Sequence, residues 1–183
     1  MNMQDIAIIR REVTVTVVPQ GHTMELMPGQ EVLVTQAKGG SFTLNVSGNL
    51  VHLDGKEADA IGKEIIKMPV DDKEIKIGDP IDEDLVWAQM ATVYDPEIPV
   101  NIVDLGLIYD VGYTKLKDNT YHVGVQMTLT APGCGMGPVL VSDVEERVKM
   151  IPNVSKVDVV IVFDPPWNAD MMTEEAKLEL GFF

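Results

Sequence analysis

Thr128-Leu129-Thr130-Ala131-Pro132-Gly133-Cys134-Gly135-Met136-Gly137-Pro138 is the stretch whose reading decides how this chain folds. Upstream of it, Tyr121, Val123, Val125, Met127 and Leu129 alternate with His122, Gly124, Gln126, Thr128 and Thr130, the period of a half-buried strand. Downstream, Val141, Val144, Val148 and Ile151 recur at helical spacing, with Glu145 and Lys149 as an i,i+4 pair on the other side. Pro138 suits the first turn of that helix, where its missing N–H costs nothing. Cys134, the only cysteine of the chain, therefore stands just before a helix N-terminus. Free N–H groups and partial positive charge there favour thiolate over thiol. A thiolate is a nucleophile and a soft-metal ligand, so the loop suits sulfur chemistry.

Working outward, Pro152-Asn153 stops the helix, and Val157, Val159, Ile161 and Phe163 alternate as a further strand, halted by Asp164-Pro165-Pro166-Trp167. The strand, helix and strand form a βαβ unit, which predicts parallel strands joined by a right-handed crossover. Glu174 and Glu175 open a short last helix over residues 173–180, ended by Gly181. On the N-terminal side, Asp82 can cap a helix whose face carries Val86, Met90 and Val93, and Asp95-Pro96-Glu97-Ile98-Pro99 ends it. Asp104-Leu105-Gly106 reads as a turn, and the strand from Leu107 to Tyr113 pairs with the alternating strand across Lys117-Asp118-Asn119. The order predicts an α+β domain over residues 82–183, a small three-stranded mixed sheet with helices packed on one face.

Residues 1–70 read as a small β-rich N-terminal unit. Its strands are expected at 13–18, 31–36, 42–46 and 49–53, with a short helix over 57–67 weakened by Gly62. Residues 71–81, charged and punctuated by glycine and proline, read as a linker.

The 183 residues carry a formal charge of −15, which weighs against partners held through phosphates, nucleic acid and anionic membrane alike. No apolar run approaches the roughly 18–20 residues that span a bilayer. Met1 to Glu12 is charged and reads as carrying no leader, and a single cysteine forms no internal disulfide, so the expected location is cytoplasmic. No glycine-rich phosphate loop points to nucleotide hydrolysis.

Asp95-Pro96-Glu97-Ile98-Pro99 followed by Asp104-Leu105-Gly106-Leu107-Ile108 resembles the opening signature of the SufT and PaaD-like family of iron–sulfur assembly proteins. Leu129-Thr130-Ala131-Pro132-Gly133-Cys134 resembles its cysteine loop, and Asp164-Pro165-Pro166-Trp167 with Met172-Thr173 and Leu180-Gly181-Phe182 its C-terminal signature. Many relatives carry proline directly after the cysteine. Here Gly135-Met136-Gly137 intervenes, a form similar to the SufT branch, as is a β-rich unit ahead of the shared domain. The resemblance implies a role in maturing or delivering iron–sulfur clusters to recipient proteins, with the assembly machinery and client apo-proteins as partners, and the chain reads as a non-catalytic factor.

Cys134 is the expected contact to iron or to a cluster, with Asp95, Glu97, Thr130, Gly133 and Gly135 in support. Turn chemistry is the competing role for Asp95, and a backbone hydrogen bond for Thr130. A cluster needs about four ligands, mostly thiolates, and this chain has one. A cluster would be transient, bridged between two Cys134 thiolates of a homodimer, or completed by a partner. His22, His52 and His122 stand at no ligand spacing and read as structural. Two other readings stay open: a thiol enzyme, which needs a base beside Cys134, and an adaptor that touches no metal.

Overall fold

The computed structural model describes residues 5–95, 98–133 and 135–182. The chain divides into two units, Met1–Lys67 and Met68–Phe183.

The first unit holds strands β1 (Asp5–Ile8), β2 (Val13–Val18), β3 (Thr23–Leu26), β4 (Glu31–Lys38), β5 (Ser41–Val46) and β6 (Asn49–Asp54). They form one antiparallel sheet in the order β1-β4-β5-β6-β2-β3. Period-two alternation sends Val13, Val15, Val17, Leu44, Val46, Val51 and Leu53 into its core. Strands β1 and β3 escape a reading of the sequence because each buries a single residue, Ala7 and Leu26. The helix expected over 57–67 is instead a short 3-10 helix, Gly55–Ile61, started by Asp54 accepting from the Lys56 N–H at 3.0 Å. Gly62 ends it in the left-handed region at φ 73°, where an added Cβ would strike the Arg10 guanidinium.

In the second unit α1 (Glu83–Met90) precedes β7 (Ile108–Lys115) and β8 (Tyr121–Met127). The helix α2 (Gly137–Lys149), β9 (Val154–Ile161) and α3 (Glu174–Glu179) follow. Asp82 caps α1 by accepting from the Leu85 N–H at 3.0 Å, and Val86, Met90 and Val93 are buried. Strand β8 pairs antiparallel with β7 and parallel with β9, so the sheet is mixed and α2 is the crossover. Val123, Val125 and Met127 are fully buried, while Gly124 and Gln126 between them face the other way. On α2 the buried stripe runs through Leu140, Val144 and Val148 to Ile151, with Val141 at its margin.

Residues 71–81, expected as a linker, fall within the second unit, because specific hydrogen bonds hold the stretch there. The Gln89 side chain accepts from the Val70 N–H at 3.1 Å and donates to the Arg147 carbonyl at 2.7 Å, tying residues 69–72, α1 and α2 together. The Gly78 N–H donates to the Asn119 carbonyl, and Asn153 Nδ2 to that of Asp79.

Candidate functional site

One end of the β7–β8–β9 sheet is extended by loops. The Val162 N–H donates to the Met127 carbonyl at 2.8 Å and the Thr128 N–H to that of Leu107 at 2.8 Å. Leu107 in turn donates to Ile102, and Ile102 to Val93, so the segment after α1 is stitched to the end of β8. Within that segment Asn101 and Asp104 lock each other. Asn101 Nδ2 donates to Asp104 Oδ2 at 2.8 Å, and the Asp104 N–H donates to Asn101 Oδ1 at 2.9 Å. This is the Asx-turn chemistry that lets a short polar side chain replace a backbone partner.

The C-terminal segment 164–173 crosses this turn as a strap. Trp167 Nε1 donates to the Leu105 carbonyl at 2.7 Å, Tyr109 Oη to the Pro165 carbonyl at 2.8 Å, and the Thr173 N–H to the Asp104 carbonyl at 2.9 Å. Gly106, at φ 75°, makes the approach possible, since an added Cβ would run into the Met171 carbonyl. Two of the three separated motifs, residues 95–108 and 164–173, are therefore in contact.

The third motif reaches the same end of the sheet through α2. Gly137 opens that helix so close to β8 and β9 that its Cβ would lie 3.1 Å from Leu129 Cδ1 and 3.3 Å from Ile161 Cδ1. Met136 at the N-cap provides no side-chain cap, and the first turn of α2 has no acidic residue, in contrast to α1 and α3. Among the described residues no side-chain cap meets its N-terminal N–H groups, a setting that favours an anion.

Cys134 and Glu97 lie outside the described residues. Around them, Gly133 is exposed at φ 79°, Gly135 is exposed, Thr130 is half-buried beyond the end of β8, and Asp95 is buried. The Asp95 carbonyl accepts from the Ile98 N–H at 3.2 Å, so the residue does form the turn after α1. Thr128 is 1% exposed and its hydroxyl has no partner among the described residues. Among the described residues, no three of His, Cys, Asp and Glu gather into a metal-holding group. The sequence reading missed Asn101, Tyr109 and Thr128. The Asn101-x-x-Asp104 spacing is the one local signal that points to any of them. His122 pairs with Asp158 at 2.7 Å, on the face of the sheet opposite Val123.

Residues 83–159 match the family described as iron-sulfur cluster assembly protein. A Porphyromonas gingivalis protein called an Fe-S protein maturation auxiliary factor is 50% identical over 103 residues, 55% of this chain and 91% of its own length. The chain belongs to the iron–sulfur cluster assembly family. Two further members of the family bear on the same region. The Bacillus subtilis Fe-S protein maturation auxiliary factor YitW is 40% identical over 52% of this chain and 90% of its own length. The Staphylococcus aureus factor SufT is 43% identical over 49% of this chain and 97% of its own length. The strap and the stitched turn are thus features of a chain in this assembly family, built around its α+β unit.

Proposed function

We propose that this protein is a maturation factor for iron–sulfur proteins, assisting delivery of clusters to client apo-proteins, with the Cys134 thiolate as its functional centre. The observation that carries the reading is the N-terminus of α2, acid-free in its first turn and without a side-chain cap among the described residues, directly after the glycine-rich cysteine loop. Such an end stabilises thiolate over thiol and so raises its affinity for iron. The names borne by the relatives from Porphyromonas, Bacillus and Staphylococcus supply the cargo.

The cluster is cargo in this reading rather than a resident cofactor. One cysteine supplies one of the roughly four ligands that a cluster needs. The shell is completed by a second copy of the chain, by the assembly machinery or by the client. In this reading Asp95 and Glu97 offer carboxylates to iron and Thr130 a hydroxyl to sulfur. The role is that of a non-catalytic helper in the cytoplasm. Among the described residues no helix is long and apolar enough to cross a membrane.

Iron and sulfide per chain after anaerobic reconstitution test the proposal. Loading near one cluster per two chains, lost in Cys134→Ser, is the expected result. Equal and negligible loading of both proteins removes the cluster contact and leaves the adaptor reading, in which Cys134→Ser supports client maturation in cells as well as the unaltered chain does. A thiol enzyme is the weaker alternative, since His122 stands at the start of β8, the opposite end of that strand from the one that leads into the cysteine loop.

A further inference from the structure

The face of the β7–β8–β9 sheet opposite Val123, Val125 and Met127 has a glycine floor. Gly112 and Gly124 are directly paired across β7 and β8, and Gly124 pairs in turn with Asp158 on β9. Glycine inside a strand forfeits packing and widens the unfolded ensemble, so it normally answers a local need. Neither usual need exists here. Both residues have ordinary strand backbone rather than positive φ, the register shifts lie at Ile108/Asp110 and Tyr121/His122 rather than at the glycines, and a Cβ added to either would meet nothing within 4 Å among the described residues. A further reason for glycine within a strand is the close approach of a ligand or another backbone.

We infer that this open face is a docking surface for a positively charged protein segment, which seats one large, flat side chain over the Gly112–Gly124 pair. The sign of the partner follows from charge. The second unit holds 21 acidic against 8 basic residues, and the first only 8 against 6. A field of that sign draws in basic surfaces. Locally, exposed Asp110 lies two residues from Gly112, and Asp158 lies beside Gly124. His122 Nε2 at 2.7 Å and Lys156 Nζ at 3.4 Å hold the Asp158 carboxylate in place at the side of the floor. The seat has an apolar margin as well, because Val160, next along the same face of β9, is 55% exposed. An aromatic ring laid on two bare peptide units is the contact that such a floor permits and any β-carbon would block.

The inference goes beyond the proposed function and needs neither Cys134 nor a cluster, so the two fail separately. The test uses the full chain, 15N-labelled, titrated with the peptide acetyl-Lys-Arg-Trp-Arg-Lys-amide and with its Trp→Ala and all-glutamate analogues. The tryptophan peptide should shift the Gly112 and Gly124 amides, the alanine peptide should bind about tenfold more weakly, and the glutamate peptide should not bind. Gly124→Thr should weaken the tryptophan peptide about tenfold while raising Tm by about 2–4 °C, as a β-branched residue entering open space should. Gly112→Ala repeats the test with a smaller side chain. Shifts scattered over the acidic stretch 71–84, equal binding by Gly124→Thr, or a fall in Tm on both substitutions would overturn the assignment.

Discussion

Gly106 joins two properties that a side chain cannot have, a φ of 75° and a Cβ position already taken by the Met171 carbonyl. Alanine there meets the left-handed penalty of about 1–2 kcal/mol and must also push the strap away, so Gly106→Ala should lower stability by roughly 3 kcal/mol in urea unfolding. Thr128 works in the opposite direction. Its buried hydroxyl has no partner among the described residues, and an unsatisfied buried polar group costs about 1–3 kcal/mol. Thr128→Val keeps the shape and removes the group, so the urea midpoint should rise by the equivalent of about 1 kcal/mol. A fall on this substitution would show that the hydroxyl is bonded in solution. The sequence revealed less at this scale than at any other. Asp104 is recognisable as a turn residue from Asp-Leu-Gly, whereas Trp167, Tyr109 and Thr128 are defined by carbonyls or by burial far along the chain, which leave no mark on their neighbours in sequence.

Elements with a strong period were legible and weakly periodic ones were not. Strand β8 alternates over its whole length and α2 repeats apolar residues every three to four positions, so the βαβ unit, its mixed sheet and its crossover follow from pattern alone. Strands β1 and β3 are short edges with one buried residue each, which no alternation can reveal. The stretch 71–81 has a linker's composition, yet the Gly78 N–H donates to the Asn119 carbonyl and the Asp79 and Pro80 carbonyls accept from Asn153 Nδ2, contacts that composition does not record. The strap is the element whose behaviour is most open to measurement. It is held across the Asp104–Tyr109 turn chiefly by three hydrogen bonds, each worth about 1 kcal/mol net. Trp167→Phe removes one of them and keeps most of the ring. Hydrogen exchange at the Thr173 amide should then quicken about fivefold, with the amides of β8 unchanged. Equal acceleration in both places would mean that the strap opens only when the whole unit unfolds.

At the scale of the molecule, charge divides the chain unevenly, and the two units should respond to ions in different ways. The second unit, with its excess of thirteen acidic residues, is destabilised by its own repulsion. The first is close to neutral and carries an attractive cluster instead, in which Arg11 bridges Glu57 and Asp59 at 2.6 Å each. Added salt screens both effects, relieving the repulsion and weakening the attraction. Acid acts along a second axis. Asp158 is held below the ordinary carboxylate range first by the His122 hydrogen bond and then by Lys156, Asp118 by Thr120, and Asp59 by Arg11. A depressed pKa contributes stability that is complete above the ordinary carboxylate value and is lost as pH falls through the folded value. Both units therefore lose these contributions below about pH 4, whereas protonating the remaining carboxylates relieves repulsion mainly in the second. Amide exchange in the full chain separates the units, with β5 reporting the first and β8 the second. Between low and high salt at neutral pH, protection of β8 should rise several-fold while that of β5 stays level or falls. A uniform rise in both would mean that salt acts through general exclusion from the protein surface, and that the acidity of the second unit is an incidental property of its exterior rather than a load on its fold.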